Sequence, residues 1–218
     1  MKYEEILKNR EILAYYEKGD EILAFLGYTD HSTAHTMLVA NNAARIMEAF
    51  GYGEEDAELA KIAGFMHDIG NAVNRSHHAE YGAILANEIL KETDLIISDR
   101  VQIVSAIANH DESTGVASDP VAAAVIIADK SDVRRSRVRD KDPVFYDIHD
   151  RVNYAVTGTK LETDAEKMEI VLNLTIDENI CTMYEYFDIF LDRMTMCSKA
   201  ARVFGASYAL VVNGQKVL

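Results

Sequence analysis

The chain has 218 residues, of which 49% are hydrophobic and 27% charged, as is typical of a folded globular protein rather than a disordered one. Its 22 basic and 36 acidic residues give a net charge of −14, and such a surface disfavours nucleic-acid polymers and anionic membranes as partners. Cys181 and Cys197 fit neither a disulfide framework nor a zinc ribbon, so we expect a cytoplasmic protein. The charged N-terminus predicts no signal peptide, and no apolar stretch is long enough to predict a membrane span.

Up to about residue 150, apolar residues recur at helical spacing. Helices are predicted over residues 3–17, 20–26 and 31–50, over EEDAELAKIAGFMHD, over 78–91 and 98–109, and from Pro120 onward. Asp30 is the expected cap of the helix that starts at residue 31, and Asp119 followed by Pro120 marks the clearest helix start. We therefore expect a helical domain over residues 1–150.

Beyond residue 150 the spacing of apolar residues changes. In MEIVLNLTID they alternate with polar residues, as in a strand, and VNYAVTGTKL is β-branched enough to be its hairpin partner. Residues 178–204 return to helical spacing, and SYALVV predicts a last strand before a turn at Asn213-Gly214. The predicted fold is thus mainly α, with a small C-terminal α+β subdomain over 151–218 made of a β-hairpin, a long helix and a final strand.

The helical part holds all seven histidines of the chain, and six of them fall between residues 31 and 110. Five predicted elements each carry an imidazole or a carboxylate, mostly near an end, and a bundle can collect such residues into one inward-facing cluster. Both groups are common metal ligands. Taken alone, His35 is better explained as a histidine of the core. The candidate ligands are His35, His67, Asp68, His78, His110 and Asp129.

The order of these residues resembles the HD-domain superfamily of metal-dependent phosphohydrolases. The resemblance covers about residues 30–135, and it rests on His35-Thr-Met-Leu-Val-Ala, Phe65-Met-His67-Asp68-Ile-Gly, His78-Ala-Glu-Tyr-Gly-Ala, Ile107-Ala-Asn-His110 and Ile127-Ala-Asp129-Lys130. It implies an HD-type helical bundle with two divalent metal ions. The first would be held by His35, His67, Asp68 and Asp129, and the second by His78 and His110, with Asp68 as the bridge. Iron or manganese suits this mixture of ligands best, and zinc or magnesium stays open.

The resemblance implies a hydrolase of phosphate esters or anhydrides, and a nucleotide is the expected small-molecule substrate. A water molecule between the two cations would become hydroxide near neutral pH and attack phosphorus, which gives His67 and Asp68 catalytic roles. Two alternatives stay open: a di-iron oxygenase on a similar ligand set, and a nucleotide-sensing regulatory protein without catalysis. A homodimer contact through residues 151–218 also stays open.

Basic residues are concentrated directly after Asp129, between Lys130 and Lys141. Most of them, Arg137 included, are expected to lie on the solvated surface and to pair with nearby aspartates. Lys130 and Arg134 lie one predicted helical turn apart beyond a metal ligand. We expect these two to bind the outer phosphates of the substrate.

Two features set the chain apart from parts of the family. Asn71 follows His-Asp-x-Gly, where dinuclear subfamilies often have lysine, so the charge of that lysine must come from elsewhere or the substrate differs. After His110 the chain lacks the Gly-Tyr-Pro signature of cyclic-di-guanylate phosphodiesterases, which disfavours that subfamily. His77 is expected to face solvent, and His31 either to support the site indirectly or to play no part in it.

Overall fold

The computed structural model describes residues 2–139 and 148–218. In the first of these ranges the chain forms a bundle of seven α-helices, as the spacing of apolar residues predicts. The helices are α1 (Tyr3–Ile6), α2 (Arg10–Phe25), α3 (Thr33–Ala49), α4 (Glu54–Met66), α5 (His78–Leu90), α6 (Ile97–Ala108) and α7 (Pro120–Lys130).

Local sequence fixes several helix starts. Asp119 accepts a hydrogen bond from the backbone N–H of Ala122 at 3.0 Å, and Pro120 takes the first helical position of α7. The start of α3 differs from the prediction, because Ser32 rather than Asp30 caps it. Asp30 instead accepts a hydrogen bond from the Ser32 hydroxyl at 2.9 Å.

The predicted helix break between residues 17 and 20 is wrong. The first break comes earlier, where the Asn9 side chain caps α2, and α2 then passes through Gly19 without interruption. A β-carbon on Gly19 would lie 3.2 Å from the backbone nitrogen of Ala72. Gly19 therefore permits close packing inside a helix and does not end one.

The C-terminal part contains the predicted hairpin, long helix and strand, preceded by a short helix. The elements are α8 (Ile148–Ala155), β1 (Val156–Asp164), β2 (Glu169–Ile176), α9 (Met183–Ala201), β3 (Ser207–Val212) and β4 (Gln215–Lys216). The four strands form one sheet in the order β1-β2-β3-β4, with β1 antiparallel to β2 and β3 parallel to β2. The hairpin starts later than predicted, since residues 152–155 belong to α8. The turn at Asn213-Gly214 joins β3 to the short β4, which the sequence did not predict.

One buried apolar cluster extends through both parts of the chain. It includes every residue of α7 from Val121 to Ala128, together with Leu172 of β2 and Phe190 of α9. A helix that is apolar on all sides must be surrounded, and α3, α4, α6 and α9 pack around α7. Because α8 extends across residue 150, the division into 1–150 and 151–218 stays a prediction. Of the described helices, none combines the length and the apolarity needed to cross a bilayer.

Candidate metal centre

The structure brings the six candidate ligands together, each from the end or the first turns of a helix. His35 lies in the first turn of α3, His67 and Asp68 directly follow α4, and His78 begins α5. Asp129 lies in the last turn of α7, and His110 follows the end of α6. The five residues other than Asp129 are at most 4% exposed, and the Asp129 side chain is 11% exposed. The residues at the ends of five helices thus form one buried polar cluster.

The four histidine rings are oriented by hydrogen bonds at Nδ1. His35 Nδ1 lies 2.7 Å from the Asp132 carboxylate. The other three rings each bond a backbone carbonyl three residues earlier in the chain: Gly64 for His67 at 2.8 Å, Arg75 for His78 at 3.0 Å and Ile107 for His110 at 2.7 Å. A carbonyl can only accept, so Nδ1 carries a proton, and in the neutral ring Nε2 keeps the lone pair that can bind a metal. This arrangement is typical of histidines that bind metals through Nε2.

On one side of Asp68, two of these nitrogens face carboxylate oxygens. The Nε2 atoms of His35 and His67 lie 3.3 and 3.6 Å from Asp129 Oδ1. They lie 3.8 and 3.3 Å from Asp68 Oδ2. Within the part of the chain that the structure describes, Asp68 Oδ2 and both nitrogens have no hydrogen-bond partner. We refer to His35, His67, Asp129 and Asp68 Oδ2 as the first donor group.

On the other side, His78 and His110 face the second oxygen of the same carboxylate. Their Nε2 atoms lie 3.5 and 3.9 Å from Asp68 Oδ1 and only 3.0 Å from each other. The Asn71 amide donates to Asp68 Oδ1 at 2.8 Å and to the Asp68 carbonyl at 2.9 Å, which fixes the rotation of the carboxylate. We refer to His78, His110 and Asp68 Oδ1 as the second donor group.

These donors fit a divalent cation. Buried imidazole nitrogens that face carboxylate oxygens cost free energy unless a positive charge, either a proton or a metal ion, lies among them. His35, His67 and Asp129 could hold one ion, and His67, Asp68 and His110 could also hold one, since in each set the ligand atoms lie within 4.8 Å of one another. Imidazole and carboxylate together suit Fe, Mn and Zn.

The pKa values of the clustered residues also indicate that a positive charge stabilises this site. Burial lowers the pKa of His67, but the carboxylates of Asp68 and Asp129 outweigh burial and raise this pKa to about 10. Without a cation, Nε2 of this ring therefore takes up a proton near neutral pH, and a bound metal ion would replace that proton. Burial raises the pKa of Asp129, yet Lys130 and the histidines hold it well below its usual range. Burial and the neighbouring His67 lower the pKa of His110 to about 3, so this ring is neutral at physiological pH, as a metal ligand must be.

A cavity of about 180 Å³ opens beside the second donor group. Lys130 lines it, with its ammonium group 2.8 Å from Asp129 Oδ2 and 2.6 Å from Glu112 Oε2. Arg193 of α9 also lines it and donates to Glu112 at 3.1 Å. The C-terminal part therefore contributes to the wall of the cavity, through a residue that the sequence analysis does not single out.

The two residues predicted to bind substrate lie in different surroundings. Lys130 lines the cavity, whereas Arg134 does not; α7 ends at Lys130, and Arg134 donates to Asp132 at 2.6 Å. The expectation that Arg137 is a surface residue is wrong. It is 5% exposed, donates to the Asp132 carbonyl at 2.9 Å and lines the cavity. Lys141 lies outside the described residues.

Two further histidines, His77 and His31, lie near the cluster in different surroundings. The His77 side chain is 66% exposed, as expected, while the adjacent His78 is buried. His31 lines the cavity, with its Nδ1 bonded to the Thr29 carbonyl at 2.7 Å and its ring 5.7 Å from that of His35. The sequence motifs do not include Asp132, which orients the His35 ring. Its spacing of three residues from Asp129 is a signal that could have revealed it.

The helical bundle and its buried histidine–aspartate cluster define a class of helical domain compatible with metal binding. Residues 33–134 match the family model of the HD domain, which confirms the predicted resemblance. An uncharacterized protein of Methanocaldococcus jannaschii is 27% identical over 203 residues, which cover 79% of this chain and 76% of that protein.

Ribonuclease Y proteins share a shorter region with the chain. Ribonuclease Y of Listeria welshimeri is 31% identical over 128 residues, or 56% of this chain and 23% of that protein. Ribonuclease Y of Onion yellows phytoplasma is 30% identical over 147 residues, or 66% of this chain and 24% of that protein. The chain thus spans about a quarter of the length of these two relatives.

Proposed function

We propose that the protein is a metal-dependent phosphohydrolase that cleaves a phosphate ester or anhydride of a small molecule, with a nucleotide as substrate. One observation carries the proposal: four buried Nε2 atoms converge on the two oxygens of Asp68, while all four Nδ1 atoms are already bonded. A structural histidine needs no such arrangement, because its two nitrogens can both be satisfied by ordinary hydrogen bonds.

The donor groups supply sites for two cations. We assign one to His35, His67, Asp129 and Asp68 Oδ2, and the other to His78, His110 and Asp68 Oδ1. Divalent cations at such sites neutralise charge on a phosphoryl group and acidify a water molecule. Asp68 and His67 are the catalytic residues in this proposal, since Asp68 belongs to both groups and His67 has the shortest contact with Asp68 Oδ2.

The residues around the ligands keep them in place for this chemistry. Lys130 bonds Asp129 Oδ2, which leaves Asp129 Oδ1 facing the histidines. Asn71 holds Asp68, and Asp132 holds the ring of His35. We expect Lys130, which lines the cavity, to contact substrate phosphate as well; for Arg134, paired with Asp132, the substrate-binding role stays a prediction.

A small substrate is favoured over a polymer by charge. The net charge of −14 opposes the binding of a long anionic chain. RNA is the second candidate substrate, because the two relatives just described are ribonucleases. Their similarity covers about a quarter of their length, and it supports a phosphate-ester hydrolase more strongly than it supports RNA.

The test is metal analysis of protein purified without chelator, followed by phosphate release from nucleoside mono-, di- and triphosphates and cleavage of a short RNA. The proposal expects bound divalent metal and phosphate release from nucleotides, both lost in Asp68→Ala and both kept in His77→Ala. Cleavage of RNA alone would favour the second candidate. Metal-free protein without hydrolase activity after loading with Mn²⁺, Fe²⁺ or Zn²⁺ would contradict the proposal.

A further inference from the structure

Arg75 differs from the other arginines and lysines that line the cavity. Lys130 and Arg193 share Glu112, and Arg137 lies 3.9 Å from the Asp132 carboxylate. Arg75 lines the same cavity, yet among the residues that the structure describes it has no carboxylate partner. A half-buried guanidinium without a counter-charge costs free energy, so its position requires a reason.

Two contacts fix the Arg75 side chain. One of its Nη1 donors bonds the Asn71 side-chain oxygen at 3.1 Å, and its guanidinium lies over the Tyr28 ring, 5.3 Å from the ring centre. An amide and an aromatic face orient a guanidinium without neutralising it. Its remaining N–H donors have no partner among the described residues. The side chain is therefore both charged and preorganised.

Arg75 is also linked directly to the second donor group. The Asn71 amide that accepts from Arg75 donates in turn to Asp68 Oδ1. The Arg75 carbonyl accepts the Nδ1 proton of His78. The backbone of Arg75 thus orients a ligand of the proposed metal site, while its side chain lies at the cavity next to that site.

We propose that Arg75 binds the phosphate group of the substrate, so that its guanidinium holds non-bridging oxygens beside the second donor group. A guanidinium can bond two phosphate oxygens at once and keeps its charge at every physiological pH. Asn71 lies where dinuclear subfamilies of the family often have a lysine. Arg75 bonds the side chain of Asn71, and its guanidinium brings a positive charge to this part of the site. This inference rests on the proposed function.

The test compares Arg75→Ala and Arg75→Lys with wild type, and it uses Arg10→Ala as a control for an exposed arginine that does not line the cavity. Each metal-loaded protein is assayed with p-nitrophenyl phosphate. Binding of inorganic phosphate is measured separately by calorimetry, and bound metal by elemental analysis. The alanine substitution leaves the backbone carbonyl of Arg75 in place, so the bond to His78 is retained.

We expect Arg75→Ala to weaken phosphate binding and raise KM about ten- to a hundredfold, the usual range for loss of a charged hydrogen bond. Bound metal should equal that of wild type, kcat should change less than KM, and Arg75→Lys should give an intermediate loss.

Unchanged phosphate binding in Arg75→Ala would overturn the inference and leave the proposed function standing. Loss of metal from Arg75→Ala would also overturn it, since Arg75 would then act on the structure of the site. A wild-type protein that neither binds metal nor releases phosphate would overturn the proposed function and the inference together.

Discussion

The two oxygens of Asp68 face two donor groups that are held in place by different forces. In the first group, the Asp132 carboxylate orients His35, and the Lys130 ammonium group bonds Asp129. Asp132 is itself bonded by Arg134 at 2.6 Å. Apart from His67, which bonds the Gly64 carbonyl, the residues that orient the ligands of this group are charged side chains.

In the second group, close backbone packing determines the geometry. A β-carbon on Gly70 would overlap the carbonyl oxygen of His78, so the start of α5 packs directly on this glycine. A β-carbon on Gly115 would overlap the carbonyl oxygen of Asn109, next to His110. The comparison teaches that the first group should respond to changes of charge, and the second to changes of side-chain volume.

Asp68→Ala should have the largest effect, because it removes the carboxylate common to both groups. We expect kcat for phosphate release to fall at least about a thousandfold, since metal ions contribute several kcal/mol of transition-state stabilisation. The measurement is steady-state kinetics with saturating Mn²⁺, with a circular dichroism spectrum as the control for folding. Full activity of the variant would show that the groups do not share this carboxylate.

Metal addition should raise stability in two steps that can be assigned to the two groups. A cation that binds only the folded protein at about a hundred times its Kd adds about 2.7 kcal/mol to the free energy of unfolding. Urea unfolding at increasing Mn²⁺ should show both contributions in wild type and only one in His110→Ala. The same two-step gain in both proteins would contradict the assignment of His110 to a separate site.

Gly70→Ala should destabilise the protein through the second group. The backbone of α5 cannot move away easily, so we expect a loss of about 1–3 kcal/mol or more in the free energy of unfolding. Gly53→Ala is the matched control, because a β-carbon there meets no atom within 4 Å. Equal and small losses in the two variants, measured by urea unfolding, would show that the contact at Gly70 is not tight.

Asp132→Asn should have a smaller effect, confined to the first group. The amide keeps the size of the side chain and can still accept from His35, but the charge is lost. Partners of metal-bound histidines typically change metal affinity by about 10–100-fold, and we expect the low end of this range. Asp192→Asn, at an exposed position of α9, serves as the control in a Mn²⁺ titration. An Asp132→Asn affinity equal to that of the control would contradict the role of charge in the first group.

Much of the fold could be predicted from local signals. The Asp119-Pro120 start of α7 and the alternation of apolar residues in β2 depend on neighbours in sequence, and the structure confirms both. The continuity of α2 could not be predicted, because Gly19 is explained by its contact with Ala72, far away in the chain. The parallel pairing of β3 with β2 likewise depends on the path of α9 between them.

The candidate ligands could be found from sequence because they occur in an ordered series of short motifs. The residues that hold them could not. Arg75 lies in a short 3-10 helix without apolar periodicity, and its contacts with Tyr28 and Asn71 appear only in three dimensions. The burial of Arg137 could not be predicted, because its contact with the Asp132 carbonyl depends on the fold of the chain after α7.

Metal stoichiometry tests the central claim, that two cations share Asp68, most directly. Elemental analysis of wild type, His78→Ala and His77→Ala, each loaded with Mn²⁺ and freed of excess ion, compares a buried donor with its exposed neighbour in sequence. The account predicts two equivalents for wild type, one for His78→Ala and two for His77→Ala. Equal metal content in wild type and His78→Ala would contradict it.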